Sequence, residues 1–125
     1  MDARLWKKLS TIAGQETTET VKGLPVALRE RAEALPVVFE PWLSEALVDT
    51  GLDPDLLGLF VGDAHNISEP LDPMPPQIFL FLESIWEYVE GDERAFREEV
   101  RVTFLHELGH FLGFDEGDLE TRGLD

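Results

Sequence analysis

Three side chains near the end of the sequence have the types and spacing to hold a divalent metal and activate water: His106, Glu107 and His110. On a helix, residues four apart lie on one face, one turn apart, so the two imidazoles aim at a common point. Neutral imidazoles and a carboxylate suit Zn²⁺ in tetrahedral geometry, with one position left for water. The same donors can hold Fe, Mn, Co or Ni, and zinc is the expected ion. Glu107, directly after the first histidine, is placed to take a proton from water as a general base. Gly113 then offers a left-handed turn that brings the chain back towards the metal. Glu116, six residues after His110, falls in register as the third ligand. Asp115 is one residue short of that register with a shorter arm, and Asp118 and Glu120 are further alternatives. A carboxylate not used as ligand could accept the second N–H of a ligating histidine.

These residues need a helix to carry them. Asp92 is a good N-cap, with Glu93 in the first turn, and a helix is predicted from there to about Leu112. Ala95, Phe96, Val100, Thr103, Phe104, Leu108 and Phe111 form its apolar stripe. The helix is amphipathic up to Val102 and then apolar nearly all round, except at His106, Glu107 and His110. An end surrounded by apolar residues is buried, and buried histidine and glutamate need partners, of which a metal is one.

The earlier chain supplies the scaffold. Leu5, Trp6, Leu9, Ile12 and Ala13 predict a helix over residues 2–22, weakened in its middle by Gly14 and the threonine-rich 16–20, and open to being two pieces. Gly23-Leu24-Pro25 stops it, and a short helix follows from Val26 to Leu35, ended by Pro36. Val37–Glu40 is a strand that Pro41 confines to an edge or an end. A short helix is expected over 42–50, closed by Gly51. A second strand is expected in LLGLFVG, residues 56–62, where two glycines allow a bend or a close backbone approach. Residues 62–76 form a loop with Pro70, Pro73, Pro75, Pro76 and His65, long enough to be a lid or a binding loop. QIFLFL, residues 77–82, is the clearest strand; a helical turn with Ile85, Trp86, Tyr88 and Val89 follows and ends at Gly91. A last short helix or turn is expected over 117–123.

Composition narrows the function classes. A chain of 125 residues with 43% hydrophobic side chains fits a single domain, residues 1–125, in which the helical segment 1–23 is the looser part. With no cysteine there is no thiol nucleophile, disulfide or thiolate metal site. Ten basic residues against 26 acidic ones argue against nucleic acid and anionic lipid as partners, and favour cations. Lys7 and Lys8 precede a polar stretch rather than an apolar one, and no run is long enough to span a membrane; the expected location is cytoplasmic.

HELGHFLGFDE, residues 106–116, resembles the gly-zincin pattern H-E-x-x-H-x-x-G-x-x-H/D. From about Leu24, through LLGLFVG, QIFLFL, the acidic turn and the H-E-x-x-H helix, the chain is similar to small bacterial zincin-like metallopeptidases. That resemblance implies an α+β zincin-like domain, with a small mixed β-sheet packed on helices and the H-E-x-x-H helix near the C-terminus. It implies His106 and His110 as metal ligands and Glu107 as catalytic base. The family's third ligand is usually Asp, from which Glu116 departs by one methylene. The implied activity is zinc-dependent hydrolysis of a peptide or unfolded protein extended along an edge strand, for which LLGLFVG is the candidate. The alternative is a metal-binding zincin-fold protein with little hydrolysis and an interaction role. The alternative draws on one gap: none of the nine residues after Glu116 is Tyr or His, so steadying the oxyanion falls to His65, Tyr88 or Arg122.

Overall fold

A computed structural model describes residues 1–62 and 75–113 of the chain. Asp115, Glu116, Asp118, Glu120, Arg122, His65, most of the proline-rich loop and the expected last helix lie outside the described residues.

The element order is α1 (Ala3–Lys22), α2 (Val26–Glu33), β1 (Val37–Glu40), α3 (Glu45–Val48), β2 (Gly58–Val61), β3 (Gln77–Phe81), α4 (Leu82–Tyr88) and α5 (Glu93–Phe111). The strands form one mixed sheet in the order β1–β3–β2. β1 runs parallel to β3 with Val37 opposite Ile78, and β2 runs antiparallel to it with Phe60 opposite Ile78. The architecture is α+β, a small mixed sheet with helices, as the sequence leads one to expect.

α1 is one continuous helix rather than two pieces. Asp2 caps it by accepting from the Leu5 N–H at 2.7 Å. Its threonines fold back on the helix: the hydroxyls of Thr11, Thr17 and Thr20 donate to the carbonyls of Lys7, Ala13 and Glu16 at 2.7–2.9 Å. They stay inside the helical pattern instead of interrupting it. Leu9, Ile12 and Ala13 of α1 belong to the same buried cluster as Phe96, Val100 and Phe104 of α5.

Several boundaries differ from expectation: α2 ends at Glu33 rather than Leu35, and β2 covers Gly58–Val61 rather than 56–62. The helix expected over 42–50 is a single turn, because Ser44 accepts the Leu47 N–H and fixes the start there, leaving Trp42 exposed. Leu82 opens α4 rather than closing β3. The Pro41 carbonyl, just past β1, accepts the N–H groups of Glu83 and Ser84 at 2.9 and 3.3 Å. It thereby satisfies two amides that a helix start leaves without intrahelical partners.

α5 is the central support. Asp92 caps it, accepting from the Ala95 N–H at 3.0 Å. Phe96, Val100, Phe104 and Leu108, four residues apart, are each at most 1% exposed. Burying four such side chains is worth roughly 1.5–3 kcal/mol each, against about 1 kcal/mol for the cap. Packing against α1 and the sheet therefore fixes α5 more than local signals do.

Candidate metal centre

The last two turns of α5 are half-buried at His106, Glu107 and His110, while Leu105 before them and Leu108 and Gly109 between them are buried. This is the stretch in which the sequence turns apolar all round. The imidazole rings stand edge-to-face, with centroids 4.8 Å apart and planes at 82°. Their Nε2 atoms are 3.2 Å apart. Two Zn–N bonds of about 2.05 Å at a tetrahedral angle would place the nitrogens about 3.3 Å apart. The pair thus fits one ion with almost no adjustment. His106, Glu107 and His110 offer ligand atoms that all lie within 4.8 Å of one another.

Glu107 is tied to the sheet. Its Oε1 accepts a hydrogen bond at 2.9 Å from the backbone N–H of Phe60, in β2. The Leu57 carbonyl accepts from Phe81 N–H at 2.9 Å, so Leu57, Leu59 and Val61 are the residues of this strand that turn their polar groups to β3. Phe60 turns its N–H away from β3, at the sheet's edge, and Glu107 satisfies it. The Phe60 ring meets Phe111 edge-on at 5.6 Å, and the Arg31 guanidinium lies over the other ring of this pair, 5.4 Å from the Phe111 centroid. Two turns earlier on α5, burial pushes the Glu99 carboxyl up from its ordinary value; a hydrogen bond from the Thr103 hydroxyl opposes the shift and the nearby Glu98 adds to it.

The structure brings together His106, Glu107 and His110, and it sets LLGLFVG at an edge of the sheet, as expected. The left-handed turn at Gly113 is present, with φ +88°. Glu116 and Asp115, the alternatives for third ligand, and His65 and Arg122 lie outside the described residues. Tyr88 is not brought to the site. It precedes the Asp92 cap, at the opposite end of α5, and the fourteen residues from Asp92 to His106 span about 21 Å of helix. It is two-thirds exposed there. Sequence reasoning missed the Phe60 N–H and the guanidinium of Arg31 over Phe111. The glycines of LLGLFVG were the one signal of a close strand–helix approach.

No curated protein matches the chain. A family model described as zincin-like metallopeptidase matches residues 32–124, nearly three quarters of the 125 residues, from α2 through the H-E-x-x-H helix. That family implies a divalent metal, typically zinc, and His106, Glu107 and His110 form a group able to hold one. By its sequence match, its small mixed sheet and the two histidines facing each other across one turn of its last described helix, the chain belongs to the zincin-like metallopeptidase family.

Proposed function

We propose that the chain is a zinc-dependent peptidase in which His106 and His110, with Glu116 as third ligand, hold the ion and Glu107 is the general base. The observation that carries this reading is the 3.2 Å separation of the two Nε2 atoms beside a carboxylate already fixed in direction. When bound, the ion supplies Lewis acidity, making water acidic near neutral pH and polarising a carbonyl. Glu107 accepts the proton of the attacking water and returns it to the departing amine. One of its oxygens is occupied by the Phe60 N–H, which leaves the other to handle the proton. The substrate is a peptide or unfolded protein laid along the outer edge of β2, where Gly58 and Phe60 turn their backbone groups away from β3 and Glu107 already holds the Phe60 N–H.

Glu107→Gln tests the reading. The variant is expected to bind zinc as the parent does and to lose casein hydrolysis by a factor of about 10² or more. No hydrolysis by either zinc-loaded protein refutes the peptidase assignment and leaves a metal-binding member of the family; equal activity in the two refutes Glu107 as the general base.

A further inference from the structure

We infer that Gly58 is a positioning residue for Glu107: by presenting no side chain where β2 crosses α5, it lets the strand come close enough for the Phe60 N–H to hold the carboxylate. The inference rests on the reading of Glu107 as general base.

A Cβ built on Gly58 would lie 2.6 Å from Thr103 Cγ2, 3.2 Å from the Phe79 carbonyl oxygen and 3.3 Å from Leu80 Cδ2. The first distance is shorter than any stable carbon–carbon contact. Thr103 sits four residues before Glu107 on α5, and Gly58 sits two residues before Phe60 on β2. Two residues of strand advance about 6.6 Å and four residues of helix about 6 Å. Strand and helix therefore run in step: Gly58 meets Thr103 where Phe60 N–H meets Glu107 Oε1 at 2.9 Å. The Phe60 ring also packs against Phe111, one turn of α5 beyond Glu107, so the same strand residue touches the helix on both sides of the base. A methyl group on residue 58 pushes the strand off the helix at the first of these contacts and stretches the second. The Phe60 N–H faces out of the sheet, so no ladder bond holds it if Glu107 withdraws.

The geometry also identifies the worst obstacle, since the contacts with the Phe79 carbonyl oxygen and Leu80 Cδ2 need shifts of only a few tenths of an ångström. The closest atom is a methyl group, which Thr103→Ser removes while keeping the hydroxyl that donates to Glu99 Oε1 at 3.3 Å. Gly58→Ala should therefore misplace the base, and Gly58→Ala with Thr103→Ser should restore it.

Two readouts test this on the zinc-loaded chain. In peptide hydrolysis, Gly58→Ala is expected to lower kcat roughly ten- to a hundredfold, the scale of a displacement near 1 Å, with KM within about twofold and zinc content unchanged. The double variant is expected to recover most of kcat. By NMR, the Phe60 amide is expected to be protected from exchange in the parent, unprotected in Gly58→Ala and protected again in the double variant. A folded Gly58→Ala protein with parental kcat and a protected Phe60 amide overturns the inference, as does a double variant no better than the single one. If the parent hydrolyses nothing but the amide follows the expected pattern, the positioning stands and the peptidase reading falls.

Discussion

Replacing His110 with Ala should erase the zinc-dependent part of the melting temperature and leave most of the metal-free stability. The two Nε2 atoms already stand 3.2 Å apart, so little of the binding free energy goes into moving them. A ligand that binds only the native state stabilises it by about 2.7 kcal/mol at a hundred times its Kd. For a chain of this length roughly 4 °C accompanies each kcal/mol, which gives a shift of about 11 °C. Without metal, His110→Ala removes a half-buried ring from the last turn of α5, a change worth about 1 kcal/mol. The assay is thermal unfolding with excess zinc and with chelator, for the parent, His110→Ala and Glu107→Gln. With 26 acidic residues, the chain also attracts cations loosely, and magnesium measures that background. Glu107→Gln should keep the zinc increment. The reasoning is refuted if His110→Ala keeps the full increment, because the pair of imidazoles is then not what holds the ion.

Removing the α5 cap with Asp92→Ala should cost about 1 kcal/mol, seen as a melting temperature lower by roughly 4 °C with zinc affinity unchanged, since the site lies at the helix's other end. Gly62→Ala should destabilise by roughly 1–3 kcal/mol or more, because Gly62 has φ +113° and its Cβ would lie 2.4 Å from Pro76 Cα. Gly14→Ala, with nothing within 4 Å in mid-helix, should instead stabilise by about 0.5–1 kcal/mol; denaturant titration separates the two. Burial raises the folded-state pKa of Glu99, so the folded chain holds this proton more tightly than the unfolded one and the charged carboxylate costs stability above that pKa. Glu99→Gln should therefore raise the melting temperature at neutral pH, and the gain should shrink as pH falls through the raised pKa and vanish below the ordinary Glu value, where the carboxyl is protonated in both states.

Local signals were legible in the sequence where they had local causes. The Asp92 cap, the stripe through Phe96, Val100 and Phe104, and the pairing of His106 with His110 all follow from residue types at helical spacing. Gly113 read correctly as a left-handed stop. The order β1–β3–β2 did not, because no residue in VVFE or GLFV records which strand lies between them. The start of α3 was misplaced because Trp42 and Leu43 look helical, whereas Ser44 is the residue that caps. The bond to Glu107 was invisible for a deeper reason. Its donor is a backbone N–H 47 residues away, and every non-proline residue has one. Only the two glycines of LLGLFVG hinted at it, as places where the backbone could bend or come close.

The two histidines stand in the last turns of a nineteen-residue helix. There the peptide dipoles sum to about half a negative charge on carbonyls without intrahelical donors. An ion held between His106 and His110 therefore feels attraction from the backbone of α5 as well as from its ligands. The attraction is mutual, since a cation in that position draws the end of the helix together. The Leu112 N–H donates to the Leu108 carbonyl at 2.9 Å and closes the helix, and the buried Phe104, Leu105 and Leu108 of its second half hold that end in place.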